Sequence, residues 1–115
     1  MNFQELIKVE DQPVISADFT GAIVCINKAF TAEFGWTETE LVGNSLTKII
    51  PSALRDAHQL GFSAYLATDN ATLLGQHLDL EILAQDGRIL MAEHFILSGE
   101  INGQKAFAAQ IKILT

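Results

Sequence analysis

The sequence predicts an α+β fold: an antiparallel central sheet with short helices and one longer helix on one face. Three observations carry that prediction. Two short β-branched runs near the N-terminus flank a glycine turn. The middle of the chain has helical spacing and helix caps. The last third alternates with period two and contains two tight-turn dipeptides, Asp86–Gly87 and Asn102–Gly103. Strands and helices are segregated along the chain, which favours α+β over a wound βαβ arrangement.

Phe3, Leu6 and Ile7 share one side of a short amphipathic helix. The runs "QPVISAD" and "GAIVCIN" read as a hairpin turned at Gly21. Asn27 caps a short helix whose face holds Phe30 and Phe34, and Gly35 closes it. In "TETELVG", Thr37 is the cap, Glu40 completes a capping box and Gly43 is the stop. "NSLTKII" is a short helical or turn segment ended by Pro51. The longest helical pattern runs from Ser52 to about Thr68, with Leu54, Ala57, Gly61 and Tyr65 on one apolar stripe and His58 at its edge. Three strands then follow as a meander: "TLLGQHLDLEIL", "RILMAEHFILS" and "KAFAAQIKIL". On the first of these, alternation puts Gln76 and Leu78 on one face and His77 on the other. On the second, Ala92, His94 and Ile96 oppose Met91, Glu93, Phe95 and Leu97. Both faces are mostly apolar, so the pattern leaves open which one is inward.

With 115 residues, 49% hydrophobic and 18% charged, the chain suits one packed domain, with residues 1–10 as an N-terminal cap helix and 11–115 as the core. The net charge of −7 disfavours nucleic acid and anionic lipid as partners. Cys25 is the only cysteine, which excludes an internal disulfide and fits a reducing compartment. No signal peptide or membrane span is apparent, so a cytoplasmic location is expected.

The stretch "QPVISADFTGAIVCINKAFTAEFGWTETELVGNSLTKIIP" resembles the first half of a PAS domain, and "AQDGRILMAEHFI" resembles that family's later hairpin. Among PAS domains, the chain is most similar to the haem-binding oxygen sensors, the oxygen-sensing histidine kinases and direct oxygen sensor phosphodiesterases. The likeness lies in Pro51 followed by "LRDAH", in Tyr65 with "LATD", and in Gly75, with no gap needed between His58 and Asp86–Gly87. It implies haem b, with His58 as the axial iron ligand and a diatomic gas (O2, CO or NO) as the signal. It also implies a homodimer through the N-terminal helix and a sheet face, and an output domain elsewhere in the parent protein.

Neutral imidazole suits iron, and haem needs a flat apolar slot. Leu54, Gly61 and Phe62 are expected to wall the His58 side, and Gln76, Leu78, His94 and Ile96 the distal side. The chain departs from these relatives distally. Leu78 stands where the kinases carry an oxygen-stabilising arginine, and Gln76 where the phosphodiesterases carry a methionine ligand. His94 is the candidate substitute, either donating to the gas or acting as a sixth iron ligand. A surface or hydrogen-bonded role for His58, and a half-exposed one for His94, remain the ordinary alternatives.

FAD is the rival cofactor, with Trp36 in a suitable place, although a core or rim aromatic accounts for Trp36 equally well. Cys25 lies in a strand without the adduct-forming motif, and a small buried hydrophobe is its expected role. No phosphate loop, zinc spacing or nucleophile elbow is present, so no enzyme activity is expected. A cofactor-free dimerisation module is the remaining alternative, with "FQELI" or a partner covering Met91, Phe95 and Leu97.

Overall fold

A computed structural model describes residues 1–56, 75 and 77–114. The elements are α1 (Phe3–Leu6), β1 (Val14–Asp18), β2 (Ile23–Ile26), α2 (Lys28–Phe34), α3 (Glu38–Leu41), β3 (His77–Leu83), β4 (Ile89–Ile101) and β5 (Gln104–Ile113). Two 3-10 turns, Leu46–Ile49 and Ser52–Leu54, lie between α3 and β3. All five strands join one sheet in the order β2-β1-β5-β4-β3. The pairings are antiparallel, so the fold is α+β with a C-terminal meander, as expected.

Local chemistry accounts for the helix boundaries. The Asn27 side chain accepts from the Phe30 amide, and Gly35, at φ 82, ends α2 in the left-handed geometry that glycine adopts without a Cβ clash. Thr37 and Glu40 form the reciprocal capping box of α3. A second box, between Asn2 and Glu5, starts α1. Asn102 and Gly103, at φ 52 and 78, make the β4–β5 turn, whose twist matches the strands it joins.

The sheet is covered on both faces. Phe30, Phe34, Trp36, Leu41 and Ile49 pack against Ile15, Ile82, Ala92 and Ile111 on the inner face. The rings of Phe30 and Phe34 lie 4.9 Å apart and tilted, a favourable aromatic geometry. On the outer face, Phe3 and Leu6 of α1 pack against Val14, Ala106 and Ala108. The helices are therefore not all on one face. α2 and α3 share the inner side, whereas α1 takes the outer one, because β4 and β5 are apolar on both sides.

The expected helix from Ser52 is described only through Asp56. It starts as the Ser52–Leu54 3-10 turn, and Arg55 then adopts right-handed helical geometry at φ −63 and ψ −42. The Arg55 side chain closes the preceding turn, donating from Nε to the carbonyls of Thr47 and Ile50, both at 3.0 Å. Ala57, His58, Gly61, Phe62, Tyr65 and Gln76 lie outside the described residues.

Candidate functional site

Register decides which face His94 occupies. It pairs with Leu78 on β3 and with Ile111 on β5. Ile111 is fully buried in the inner cluster, as is Ala92 two residues before His94. His94 and Ile96 therefore face inward, with Leu78 beside His94, and the question left open by the alternation is settled. The pairing brings together Leu78, His94 and Ile96, three of the residues expected on the distal side. Leu54 stands apart, 38% exposed on its 3-10 turn.

The His94 ring is held by its own strand. Nδ1 lies 3.0 Å from the Ala92 carbonyl oxygen. A carbonyl can only accept, so Nδ1 carries the proton and donates. In the neutral ring Nε2 is then a bare lone pair. Burial among apolar side chains lowers the His94 pKa from its ordinary value, and the Ala92 bond only partly opposes that shift. The ring can thus accept a hydrogen bond or bind a metal through Nε2. It does not donate from Nε2 in this tautomer.

Trp36 is a core residue, with its indole N–H donating to the Leu83 carbonyl at 2.9 Å and the Lys48 ammonium 5.8 Å from its ring centre. Cys25 is exposed, not buried as expected. It lies on the edge strand β2, beside an irregularity in register at Ser16 and Ala17 that leaves consecutive residues Val24 and Cys25 facing solvent. Glu38, Asp79 and Glu81 are exposed on the surface. Among the described residues, no three His, Cys, Asp or Glu side chains converge as a metal site.

The outer face carries a pair that the sequence did not single out. His77 Nδ1 lies 2.9 Å from Glu93 Oε1, and the His77 ring stacks on Phe95 with centroids 4.8 Å apart. Together with Met1, Gln110 and Lys112 they line an open hollow of about 270 Å³. The signal was present in the β3–β4 register, since a tight turn at Asp86–Gly87 places His77 opposite Phe95 and diagonal to Glu93.

Comparison with solved structures identifies the architecture. A PAS domain from Desulfitobacterium hafniense superposes with a TM-score of 0.77 at 17% identity, over 96% of this chain and 99% of that one. The fold is that of a PAS domain. A PAS domain of an HTR-like protein from Haloarcula marismortui gives a TM-score of 0.70 at 21% identity, covering 96% of this chain and 88% of the other. A PAS domain from a two-component sensor histidine kinase gives 0.72 at 14%, covering 96% and 91%. By sequence, the chain is 35% identical over 100 residues to an uncharacterized protein of Azorhizobium caulinodans, across 86% of this chain. The matched part of this PAS-fold chain spans 14% of that relative's length. No protein-family model matches the chain. Among the described residues, no helix is long and apolar enough to cross a membrane.

Proposed function

We propose that this chain is the sensory PAS domain of a longer signal-transduction protein, and that it holds haem b with His58 as the axial iron ligand. The observation that carries the reading is the inward placement of His94 beside Leu78 and Ile96, on a sheet face otherwise built from apolar side chains. An imidazole lone pair set in an apolar wall suits an iron porphyrin, which needs nitrogen donors and dry flat surfaces. The group would supply an iron that takes a diatomic gas. Leu78 and Ile96 would exclude water, and Ile111 would back His94 from the next strand. The likeness of "LRDAH" to the haem-binding oxygen sensors implies His58 on the opposite side, with Gly61 and Phe62 as lining there and Gln76 on the distal side with His94.

Two comparisons support a signalling context. One structural neighbour is a PAS domain of a sensor histidine kinase, and the sequence relative is a much longer protein. A gas-dependent shift between two conformations, relayed to an output domain, is the mode of action this implies. The absorption spectrum of the chain purified after growth with a haem precursor tests the reading. A Soret band that disappears in His58→Ala is expected. A protein that stays colourless after reconstitution overturns it, and a flavin spectrum transfers the site to FAD.

One observation favours a second reading, a cofactor-free dimerisation module. On the outer face beyond α1, Ile89 is 53% and Met91 46% exposed, so α1 covers only part of the apolar surface there. A concentration-dependent dimer of the colourless protein, weakened by Met91→Glu, is its expected signature in sedimentation.

A further inference from the structure

We infer that a cleft on the outer face, at the β1–β2 edge of the sheet, binds a small neutral molecule made of one ring and a hydroxyl group, held by Ser16. The inference stands apart from the haem reading, because Ser16 lies on the opposite side of the sheet from His94. The cleft has a local origin. β1 alternates, so Val14 and Ser16 share the face on which α1 packs. α1 spans only Phe3–Leu6 and leaves Val24 and Cys25 of the edge strand exposed. Ile7, Val14, Val24 and Ile101 wall a cleft of about 190 Å³, with Ser16 and Cys25 also on its lining. An apolar cavity of about 150 Å³ accommodates benzene, so this one has room for a ring with one small substituent. Among the described residues, no charged side chain lines it, and an ionic ligand would lose its hydration there without compensation.

Ser16 supplies the second, independent observation. It is 5% exposed, yet among the described residues its hydroxyl has no hydrogen-bond partner. Its cross-strand neighbours offer none. Ala108 carries only a methyl group, and the Cys25 thiol is turned to the Ile26 carbonyl, 3.5 Å from Sγ. The Asn27 amide also lines the cleft, but its oxygen and nitrogen are already committed to the backbone groups of Val9, Gln12, Val14 and Phe30. A buried hydroxyl without a partner is costly. A ligand hydroxyl completes it with one hydrogen bond, while the ring covers the apolar walls.

The test titrates phenol and toluene into the isotope-labelled chain and follows amide chemical shifts. Toluene matches phenol in size and lacks the hydroxyl. Phenol should shift the amides of Val14, Ser16, Val24 and Cys25 with a saturable midpoint on the order of millimolar, and leave those of Ile82, Ala92 and Ile111 in place. Ser16→Ala removes an unsatisfied group, so it should fold as wild type does. It should bind phenol about fivefold more weakly, the worth of one neutral hydrogen bond, and toluene equally well. Val24→Trp, at an exposed edge position, should block both. Phenol that shifts nothing at the cleft, that shifts the inner cluster instead, or that still binds Val24→Trp overturns the inference. So does a Ser16→Ala variant that binds phenol as well as wild type, or that loses phenol and toluene alike, since the hydroxyl would then serve the fold and not the ligand.

Discussion

Asn27 shows how much one side chain fixes. Its Oδ1 accepts from the amides of Val14 and Phe30 at 3.1 and 2.9 Å. Its Nδ2 donates to the carbonyls of Val9 and Gln12 at 2.9 and 2.8 Å. The amide thus ties the segment after α1 to the start of β1 and to the cap of α2. Asn27→Ala should cost about 2–4 kcal/mol, more than the ~1 kcal/mol of an ordinary cap, because it also strands part-buried backbone groups. Asn27→Asp should fall between, since it keeps the acceptor and loses both donors. Urea unfolding measures all three. His94 makes a second residue-scale prediction, for the haem-free protein. Its pKa is lowered by burial, so below its ordinary value of 6.5 the unfolded chain binds more protons than the folded one. The associated stability is complete above 6.5 and is lost as the pH falls through the folded value. Asp18, Glu40 and Asp86 have lowered pKa values too, but they act in the same sense only below their ordinary 3.8 to 4.5. The urea midpoint of wild type should therefore drop between about pH 7 and 5 more steeply than that of His94→Leu, and equal slopes would contradict the assignment.

At the scale of elements, α1 is held by a close approach. A methyl group at Gly99 on β4 would collide with the ring of Phe3. Gly99→Ala should weaken docking of α1 and cost about 1–3 kcal/mol, as overpacking does. Faster amide exchange over residues 3–9, with the sheet still protected, is the expected signature. This contact was not legible in the sequence, since nothing local links Phe3 to Gly99. The caps were legible because each joins residues three apart: Asn27 with Phe30, Thr37 with Glu40. The turn at Asn102–Gly103 was legible because two successive positive φ values demand such residues. The inward face of β4 was not, as both of its faces are apolar and only the helices packed on either side distinguish them. For the same reason, His94 could be singled out as a candidate while its tautomer could not. The tautomer depends on where the Ala92 carbonyl points, which is a property of the folded strand. Cys25 was misjudged because alternation fails at the irregular β1–β2 register.

For the whole molecule, strand order sets where rigidity lies. β5, the last strand in chain order, sits at the centre between β1 and β4, while β2 and β3 form the edges. Hydrogen exchange should accordingly be slowest in β5, around Ala108 and Ile111, and faster in β2 and β3. A chain cut before Gln104 should fail to fold, since it would leave β1 and β4 without their shared neighbour. The centre of the sheet also joins two distinct interiors. One is the aromatic cluster under α2 and α3, and the other is the smaller one under α1.

Glu93 and His94 are consecutive residues on opposite sides of β4. One is bonded to His77 at a wet surface, and the other is half-buried on the inner face, its Nδ1 donating to the Ala92 carbonyl. A single peptide plane separates the two. A displacement of that plane would move both side chains, so the two faces of the sheet are linked here through one strand paired on both sides.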